Sequence, residues 1–440
     1  MSMTNERHLI PLQDAPFTSM DNAVLEADQS NPLLCDRIAQ RIAAHPQQQI
    51  TFAEFMDIAL YDPQHGYYAT NQVNIGVSGD FFTSPHLGAD FGEMLAEQFA
   101  EMWHLLGNPH PFTLLEMGAG QGMLAQDVLI HLHRHHSQCF KALEYVIVEK
   151  SAGMIAEQRQ RLQDLANSWE GLHWRTWDEI PADSVVGCCF SNELVDAFPV
   201  HQVAIANGQL QEIYVTLANW DAWIEMQEAA ESSSATSTLP LFTELLAPLS
   251  TPLLAEYFAL AGVDLPSPAY PEGYRTEVNL AALEWVSTVA ERLHHGYLVT
   301  IDYGYPAQRY YSPTRRDGTL QCYYQHARHA NPYIHIGQQD ITAHVDFTAL
   351  ARQGDRCGLP RLGYVPQGLF LMALGLGDRL AALSQLQPNA ALTLQDILHR
   401  REALHTLMDF NPTQMGTFGV LVQGKGLTPP QSHLRSLRDV

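Results

Sequence analysis

The chain has 440 residues, 46% of them hydrophobic, a size that allows one domain with a large insertion or two domains. Asp and Glu number 48 against 24 Lys and Arg, which gives a formal net charge of −24. Such a surface repels nucleic-acid phosphates and anionic lipids, so we predict no nucleic-acid partner; it either attracts basic partners or serves solubility alone.

The six cysteines form no Cys-x-x-Cys pair, and Cys188 and Cys189 are neighbours in a predicted strand, where their side chains face opposite ways. This pattern argues against a disulfide framework or a zinc site and for a reducing compartment. No apolar run is long enough to span a membrane, and the first 20 residues lack the blocks of a secretory signal. We therefore predict a cytoplasmic protein without membrane insertion.

The first 110 residues predict a loose leader followed by helices. Residues 1–30 are polar and weakly patterned, whereas apolar residues recur at helical spacing from 33 to 44. Thr51, with Glu54 three residues later, predicts a capped helix. We assign 31–110 to an N-terminal helical region that includes a glycine-containing lid.

From residue 111 onward, apolar strands alternate with helices. The predicted strands are FTLLEMG (112–118), EYVIVEK (144–150), LHWRTW (172–177), VVGCCFSNEL (185–194) and GYLVTIDYG (296–304). Continuous apolar strands joined by helices are typical of a parallel sheet covered on both faces. The sequence therefore predicts an α/β, Rossmann-like fold.

Two segments interrupt this alternation. Residues 205–295 contain the Ser/Thr-rich stretch ESSSATST and otherwise look mostly helical, so we predict an inserted cap or substrate domain. TLQCYY (319–324) and FGVLVQGKG (418–426) would complete the sheet as an antiparallel edge. The predicted domains are then 111–204 with 296–426 for the sheet, 205–295 for the insertion, and 427–440 for a tail.

The turn after the first strand, in LLEMGAGQGML, holds Gly118, Gly120 and Gly122. Glycines there let the backbone lie against a ligand at the carboxyl edge of the sheet, and the following helix adds unpaired N–H groups. Position 123 is Met, so the dinucleotide pattern GxGxxG is absent. Glu116 suits the ammonium of S-adenosylmethionine, a ligand without phosphate. We predict that this cofactor binds and NAD does not.

Acidic residues follow the next two strands. Glu149 ends the second strand, where a carboxylate can accept both ribose hydroxyls, although it lies 31 residues after Gly118 rather than the usual ~20. Asp178, after the third strand, is placed either to bond the adenine amino group or to act as a turn or N-cap aspartate.

The fourth strand leads into FSNELVDAFPVH, with Asn192, Glu193 and Asp196 where a transferred methyl group would emerge. If Glu193 begins a helical turn, Asp196 shares its face, and the two carboxylates can clamp a guanidinium. The alternative is a capped helix start with ordinary surface acids. The Asn-Pro-Pro-aromatic turn of methyltransferases that act on nucleobases or glutamine is missing, which argues against those substrates.

Together these motifs resemble the MidA family of S-adenosylmethionine-dependent methyltransferases, from about Leu33 to Gly426. The matching stretches are GYY (66–68), GDFFTSP (79–85), FGEML (91–95), LLEMGAGQG (114–122), IVEKS (147–151), SNELVDAFPVH (191–201), EGYRTEVN (272–279), IDYGYP (301–306), QDITAHVDF (339–347) and GKG (424–426). The family's mitochondrial member assists respiratory complex I assembly by methylating an arginine. The resemblance therefore implies methylation of a protein arginine.

The resemblance also implies roles for single residues. Gly118, Gly120 and Glu149 would bind S-adenosylmethionine, and Gly79 and Asp80 would lie in a lid over its methionine end. The residues that would border the acceptor are Asn192, Glu193 and Asp196. His86 stands where the family usually carries Glu, so the resemblance implies no role in the lid or acceptor pocket for a carboxylate at this position.

Two further clusters suggest metal ligands. HLHRHH carries His131, His133, His135 and His136, but a helix spreads them around its circumference and the pattern shows no third ligand. We predict a solvated helix end and no metal site. Asp340, His344 and Asp346 in DITAHVDF are predicted to make structural hydrogen bonds or substrate contacts.

Three functions remain open at this point. The leading hypothesis is an in-line methyl transfer to a protein arginine, with carboxylates orienting the nucleophile. The others are methylation of a small molecule enclosed by the insertion, and a cofactor-binding assembly chaperone without turnover. The carboxylates at 149 and 193 favour an enzyme, and Met and aromatic residues of the insertion offer a contact for a homodimer.

Overall fold

The computed structural model describes residues 28–69, 84–230, 241–325, 327–386, 393–408, 417–429 and 431–437. Its helices are α1 (Pro32–Ala44), α2 (Phe52–Tyr61), α3 (Asp90–Leu105), α4 (Met123–His135), α5 (Ser137–Ala142), α6 (Ala152–Arg161), α7 (Gln163–Ser168), α8 (Trp220–Ala230), α9 (Leu253–Ala261), α10 (Leu280–Arg292), α11 (Ala307–Tyr310), α12 (Phe347–Arg356), α13 (Gln367–Ala373), α14 (Leu376–Gln385) and α15 (Leu394–Leu407).

The strands are β1 (Ile50–Thr51), β2 (Phe112–Met117), β3 (Leu143–Val148), β4 (Leu172–Trp174), β5 (Val185–Asn192), β6 (His201–Ala206), β7 (Gln209–Leu217), β8 (Phe242–Ala247), β9 (Arg275–Val278), β10 (Leu293–Tyr305), β11 (Gln321–Tyr324), β12 (Ala327–His329), β13 (Asp340–Thr342), β14 (Val345–Asp346), β15 (Arg361–Pro366) and β16 (Thr417–Lys425).

The chain forms two compact units, each built from three separate stretches. Unit 1 comprises Met1–Phe81, Ala197–Ala281 and Tyr311–Ala343, and unit 2 comprises Phe82–Asp196, Ala282–Tyr310 and His344–Val440. These boundaries differ from the predicted ones. The N-terminal region 31–110 is divided between the units, and the predicted insertion 205–295 supplies only part of unit 1.

Unit 2 contains an eight-stranded sheet in the order β15-β16-β10-β5-β2-β3-β4, with β14 beside β10. The strands from β4 to β10 are parallel, which confirms the predicted α/β fold. The chain runs outward from β2 to β4 and then returns to β5 on the other side of β2. This reversal marks the carboxyl ends of β2 and β5 as the place where a ligand binds in such a sheet.

The antiparallel edge of the sheet is formed by other strands than predicted. β16 pairs with β10, but β15 lies outside it and forms the edge. TLQCYY contributes β11 to a three-stranded sheet of unit 1 instead. The predicted tail is also part of unit 2, because Leu434 is fully buried in its core and the Tyr297 hydroxyl donates to the carbonyl of Gln431 at 2.6 Å. Local patterns do not reveal such pairings, since they join residues far apart in the chain.

Unit 1 is built around an antiparallel sheet in the order β1-β7-β6-β9, with β8 paired to β7. The predicted helices of 205–295 are present as α8, α9 and α10, but the segment also contains β7, β8 and β9, which the sequence analysis did not identify. The strands β6 and β9 are far apart in the chain but pair directly, with Gln202 opposite Glu277. The N-terminal helices were predicted correctly, and Thr51 caps α2 by accepting from the N–H of Glu54 at 3.1 Å.

Buried carboxylates and the half-buried Arg275 lie in this antiparallel sheet. Arg275 donates two hydrogen bonds to Glu244, at 3.0 and 2.8 Å, and one to Gln202 at 2.7 Å. Burial alone would lower the pKa of Arg275, but the charge and hydrogen bonds of Glu244 raise it above its ordinary value. Glu277 accepts from the backbone and hydroxyl of Thr319, at 2.8 and 3.0 Å. In unit 1, the motif EGYRTEVN thus supplies one residue of a charge pair, Arg275, and one carboxyl that binds a backbone N–H group, Glu277.

None of the helices in the described ranges combines the length and the apolar character that a membrane crossing needs.

Candidate cofactor and acceptor site

The glycine turn connects β2 to α4 at the carboxyl edge of the unit 2 sheet. Gly118, Gly120 and Gly122 have φ values of 69°, 50° and 77°, a conformation that L side chains rarely adopt. The N–H of Gly118 donates to the carbonyl of Val148 at 3.0 Å, and that of Gly122 to Ala119 at 2.8 Å. The turn is therefore held tightly against the end of β3.

The three glycines have different surroundings. A Cβ at Gly118 would lie 2.7 Å from Leu194 Cδ1, and one at Gly122 would lie 3.4 Å from Gln158 Cγ. A Cβ at Gly120 would meet nothing within 4 Å. A side chain at Gly118 would displace the end of Leu194 and meet an unfavourable positive φ, whereas Gly120 borders open space where a ligand can lie against the backbone. This geometry fits the predicted cofactor.

Glu116 lies in β2 and is only 3% exposed. Its Oε2 accepts a hydrogen bond from the Tyr145 hydroxyl at 2.7 Å, and burial raises its pKa to about 7. The carboxyl group is thus directed into the sheet, where it supports the strand below the glycine turn. Its predicted contact with the cofactor ammonium stays a prediction.

Glu149 follows β3 directly. Its Oε1 accepts from the N–H groups of Lys150 and Ser151, at 2.8 and 3.0 Å, and burial raises its pKa. These bonds orient the carboxyl group at the edge of the sheet, as expected for a residue that accepts ribose hydroxyls. That role stays a prediction.

Gln158 in α6 is a residue that the sequence analysis missed. It is fully buried, and its Nε2 donates to the carbonyl of Gly120 at 2.8 Å and lies 3.4 Å from Glu149 Oε2. Its Oε1 accepts from Trp174 Nε1 at 3.0 Å. One amide therefore joins the glycine turn, the end of β3 and β4. Within the polar run QRQR, nothing in the sequence singles it out.

Asp178 is exposed in a 3-10 turn, Trp177–Glu179, four residues beyond the end of β4. The cap of this turn is Thr176, whose N–H donates to Glu179 Oε2 at 2.8 Å. Asp178 is thus a turn aspartate but not the N-cap, and its contact with adenine stays a prediction.

The predicted acceptor residues follow the end of β5. Glu193 has a φ of 49°, and the helical turn starts only at Val195. The idea that Glu193 begins this turn is therefore wrong. Its Oε1 accepts from the N–H of Ser84 and from Asn192 Nδ2, both at 3.1 Å. Burial, reinforced by the charge of Asp196, raises the pKa of Glu193 to about 8.

Asp302 in β10 is a second residue that the sequence analysis missed. Its Oδ2 accepts from the N–H groups of Leu194, Val195 and Asp196, at 3.2, 2.9 and 3.4 Å. Burial, together with the charges of Asp196 and Glu193, holds its pKa well above the usual range. Asp302 thus caps the turn and brings a third carboxyl group to the site. The available signal was an aspartate within an otherwise apolar strand, in IDYGYP.

Asp196 is buried, and its Oδ2 accepts from the Tyr303 hydroxyl at 2.5 Å. His86 Nε2 lies 3.2 Å from Gln121 Oε1, beside the glycine turn. Gly79 and Asp80, predicted for the lid, lie outside the described residues.

The motif DITAHVDF makes structural contacts, as one of its two predicted roles requires. Asp346 caps α12 by accepting from Thr348 and Ala349, and Asp340 accepts from the Tyr68 hydroxyl at 2.9 Å within unit 1. His344 lies edge-on to the ring of Tyr303.

Comparison with known proteins identifies the family. The family model described as "Putative S-adenosyl-L-methionine-dependent methyltransferase" matches residues 94–365. The Drosophila melanogaster mitochondrial protein arginine methyltransferase NDUFAF7 homolog is 30% identical over 84% of this chain and 79% of its own length. Its Mus musculus relative is 28% identical, over 83% of this chain and 79% of its own length. The chain belongs to the MidA family of S-adenosylmethionine-dependent methyltransferases.

A solved structure supports the same assignment. A superfamily member from Burkholderia thailandensis, bound to S-adenosylhomocysteine, is 30% identical with a TM-score of 0.75, over 92% of this chain and 94% of the other. The cofactor of this methyltransferase is S-adenosylmethionine, as predicted, and the open side of Gly120 fits it.

The predicted cytoplasmic location is wrong by the same comparisons, because the fly, mouse and human relatives are named as mitochondrial. The cytoplasmic prediction rested on two observations, cysteines that favour a reducing compartment and apolar runs too short to span a membrane. Neither observation distinguishes one compartment from another. The homodimer stays a prediction.

Proposed function

We propose that this methyltransferase acts on an arginine side chain of a protein. The fly, mouse and human relatives are named protein arginine methyltransferases. The observation that carries the proposal in this chain is a group of three carboxyls at the carboxyl end of β5, the buried Asp196 and Asp302 and the half-buried Glu193.

The acceptor side of the site has unused capacity for a cation. Among the described residues, neither Glu193 nor Asp302 makes an ion pair, and the buried Asn192 Oδ1 makes no hydrogen bond. A guanidinium is always charged and presents several N–H donors in one plane. Its arrival would favour the ionised form of Glu193 and give Asn192 a donor. A lysine ammonium lacks this planar geometry and should be a poor acceptor.

Each residue then has a defined task. The bound cofactor supplies an electrophilic methyl group on its sulfonium. Asn192 and Glu193 hold the guanidinium so that one nitrogen is in line for attack, which is where most of the rate acceleration arises. Asp196 and Asp302 keep the loop that carries Glu193 in place. A carboxylate whose pKa is about 8 is also suited to accept the proton that the substrate nitrogen releases.

The test is methyl transfer from radiolabelled S-adenosylmethionine into a lysate of the source organism, with amino-acid analysis of the labelled protein. We expect methylarginine, and we expect Glu193→Gln to lower turnover at least about tenfold with little change in S-adenosylhomocysteine affinity. Glu170→Gln, an exposed carboxylate of unit 2, is the matched control.

Three outcomes contradict the proposal. Label in a small molecule would favour the small-molecule hypothesis. Cofactor binding without any transfer would favour the assembly chaperone. Full activity of both Glu193→Gln and Asp196→Asn would leave these carboxyls as parts of a turn only.

A further inference from the structure

A histidine and carboxylate cluster lies at the far end of α4 from the glycine turn. The sequence pattern offered no third ligand beside the histidines, but α3 supplies one, Glu97. His131 is on α4, and His136 follows its last helical residue with a non-helical backbone, φ −129° and ψ 54°. The departure from the helix lets both imidazoles face the same carboxylate.

The geometry of the cluster is compact. Nε2 of His131 and Nε2 of His136 both lie 2.8 Å from Glu97 Oε1. All three ligand atoms lie within 4.8 Å of one another. Ligand atoms around a tetrahedral Zn²⁺, at 2.0–2.1 Å from the metal, are about 3.3 Å apart. The two His–Glu distances would lengthen by about half an ångström to admit the ion, and the two Nε2 atoms, which are at most 4.8 Å apart, would lie at about 3.3 Å.

We propose that Glu97, His131 and His136 form a binding site for a divalent transition metal, with Zn²⁺ as the best-suited ion. Two imidazole nitrogens and one carboxylate oxygen are ligands that Zn²⁺ accepts readily. Glu97 and His136 are partly exposed, so a water molecule can complete the coordination.

The surroundings of Glu97 suit a ligand. It is partly exposed, and both imidazole Nε2 atoms lie against the same oxygen, Oε1. Its other oxygen, Oε2, lies 3.5 Å from Arg435 Nη2. An arginine on the non-ligating oxygen fixes the orientation of the carboxylate, as outer-shell partners of metal ligands do. The positive charge of Arg435 repels a metal cation and so offsets part of this stabilisation.

The site is structural rather than catalytic. Gly122 caps the first turn of α4, and His131 follows nine residues later, about 13 Å along the helix axis. A metal at the cluster would join α3, the end of α4 and, through Arg435, the segment 431–437. We therefore expect it to raise the stability of unit 2 without taking part in methyl transfer.

The test uses the full-length protein stripped with EDTA and titrated with Zn²⁺ by calorimetry. Wild type should bind one ion per chain and gain thermal stability. His136→Gln and Glu97→Gln should each bind at least about tenfold more weakly. His133→Gln, on an exposed position of the same helix, is the matched control and should behave as wild type.

A spectroscopic measurement on wild type needs no variant, so it remains valid if the variants do not fold. The Co²⁺ adduct of a three-ligand N₂O site should absorb strongly in the visible region, and Zn²⁺ should abolish that absorption. Absence of stoichiometric binding by wild type, or equal affinity in His136→Gln, overturns the proposal.

Discussion

Buried carboxyl groups occur in both units, but their partners differ. In unit 1, Glu244 is paired with Arg275 by two hydrogen bonds, and His201 Nδ1 lies 2.8 Å from Glu212. In the described part of unit 2, Glu193 and Asp302 accept from backbone N–H groups and one amide, and no cation pairs with them. The first arrangement includes its cation in the protein alone, whereas the second has no cationic partner among the described residues.

The comparison separates buried charges that hold the structure from those that serve a ligand. Removing one partner of a complete pair leaves an uncompensated charge and lowers stability. Removing a carboxyl whose partner arrives with the substrate should lower turnover instead. The pKa of such a carboxyl is shifted as long as the substrate is absent. Four experiments test this distinction and the position of the cofactor in unit 2.

The largest effect is expected for Gly120→Val. The side chain would occupy the open space beside the turn, so S-adenosylhomocysteine affinity should fall by roughly 100-fold or more, which is about 3 kcal/mol. Calorimetry measures the loss. Gly208→Val is the matched control, because Gly208 in unit 1 has a φ of 70° and equally empty surroundings. Both changes carry similar backbone strain, and unchanged affinity in Gly120→Val would contradict the assigned ligand position.

Arg275→Met should be the most destabilising of the charge changes. It leaves Glu244 buried without its cation, so the free energy of unfolding should fall by roughly 2–4 kcal/mol. Urea denaturation measures this, and cofactor affinity of the folded protein should stay unchanged. Adding Glu244→Leu should recover much of the loss. The comparison fails if Glu193→Gln costs more stability than Arg275→Met.

Glu149→Ala should weaken S-adenosylhomocysteine binding by roughly 1–3 kcal/mol, through loss of charge-assisted hydrogen bonds to the ribose. Calorimetry against Glu170→Ala, an exposed carboxylate of the same unit, isolates the effect. An unchanged dissociation constant would mean that another group binds the ribose.

The smallest effect is a pH dependence from Glu193. Its pKa of about 8 leaves the carboxyl mostly protonated at pH 7, so kcat/KM should rise about tenfold between pH 7 and 9. Glu193→Gln should remove this rise. Because the folded pKa is raised, the stability contributed by Glu193 is present below its ordinary pKa and is lost as pH rises through about 8. Urea denaturation should therefore show Glu193→Gln gaining on wild type as pH rises, and parallel pH profiles would exclude this assignment.

The sequence was informative where structure is local. The apolar strands and the positive-φ glycine turn were visible because strand composition and glycine placement are short-range signals. The position of Glu149 directly after a strand was also predicted, while its contact with the ribose stays a prediction. These elements belong to unit 2 and its cofactor side.

The antiparallel sheet of unit 1 was not predictable in the same way. Gln202 pairs with Glu277 and Ile50 with Val215, so its strands are defined by partners far away in the chain. Asp302 and Gln158 act through contacts across more than 30 residues, with the N–H groups after β5 and the carbonyl of Gly120. Glu193 was misjudged because helical spacing assumes a helical backbone, and its φ is positive.

The order in which the strands appear also matters during synthesis on the ribosome. Ile50 can pair only after Val215 has been synthesised, and Val299 in β10 only after Val422 in β16. At about 5–20 residues per second, the first wait alone lasts roughly 8–30 s.

The nascent chain of unit 2 therefore exposes the edge of β10 until β16 has been made. An uncovered edge of apolar strands invites pairing with other chains. Added chaperone or slower growth should consequently raise the soluble yield of this protein while leaving its specific activity unchanged.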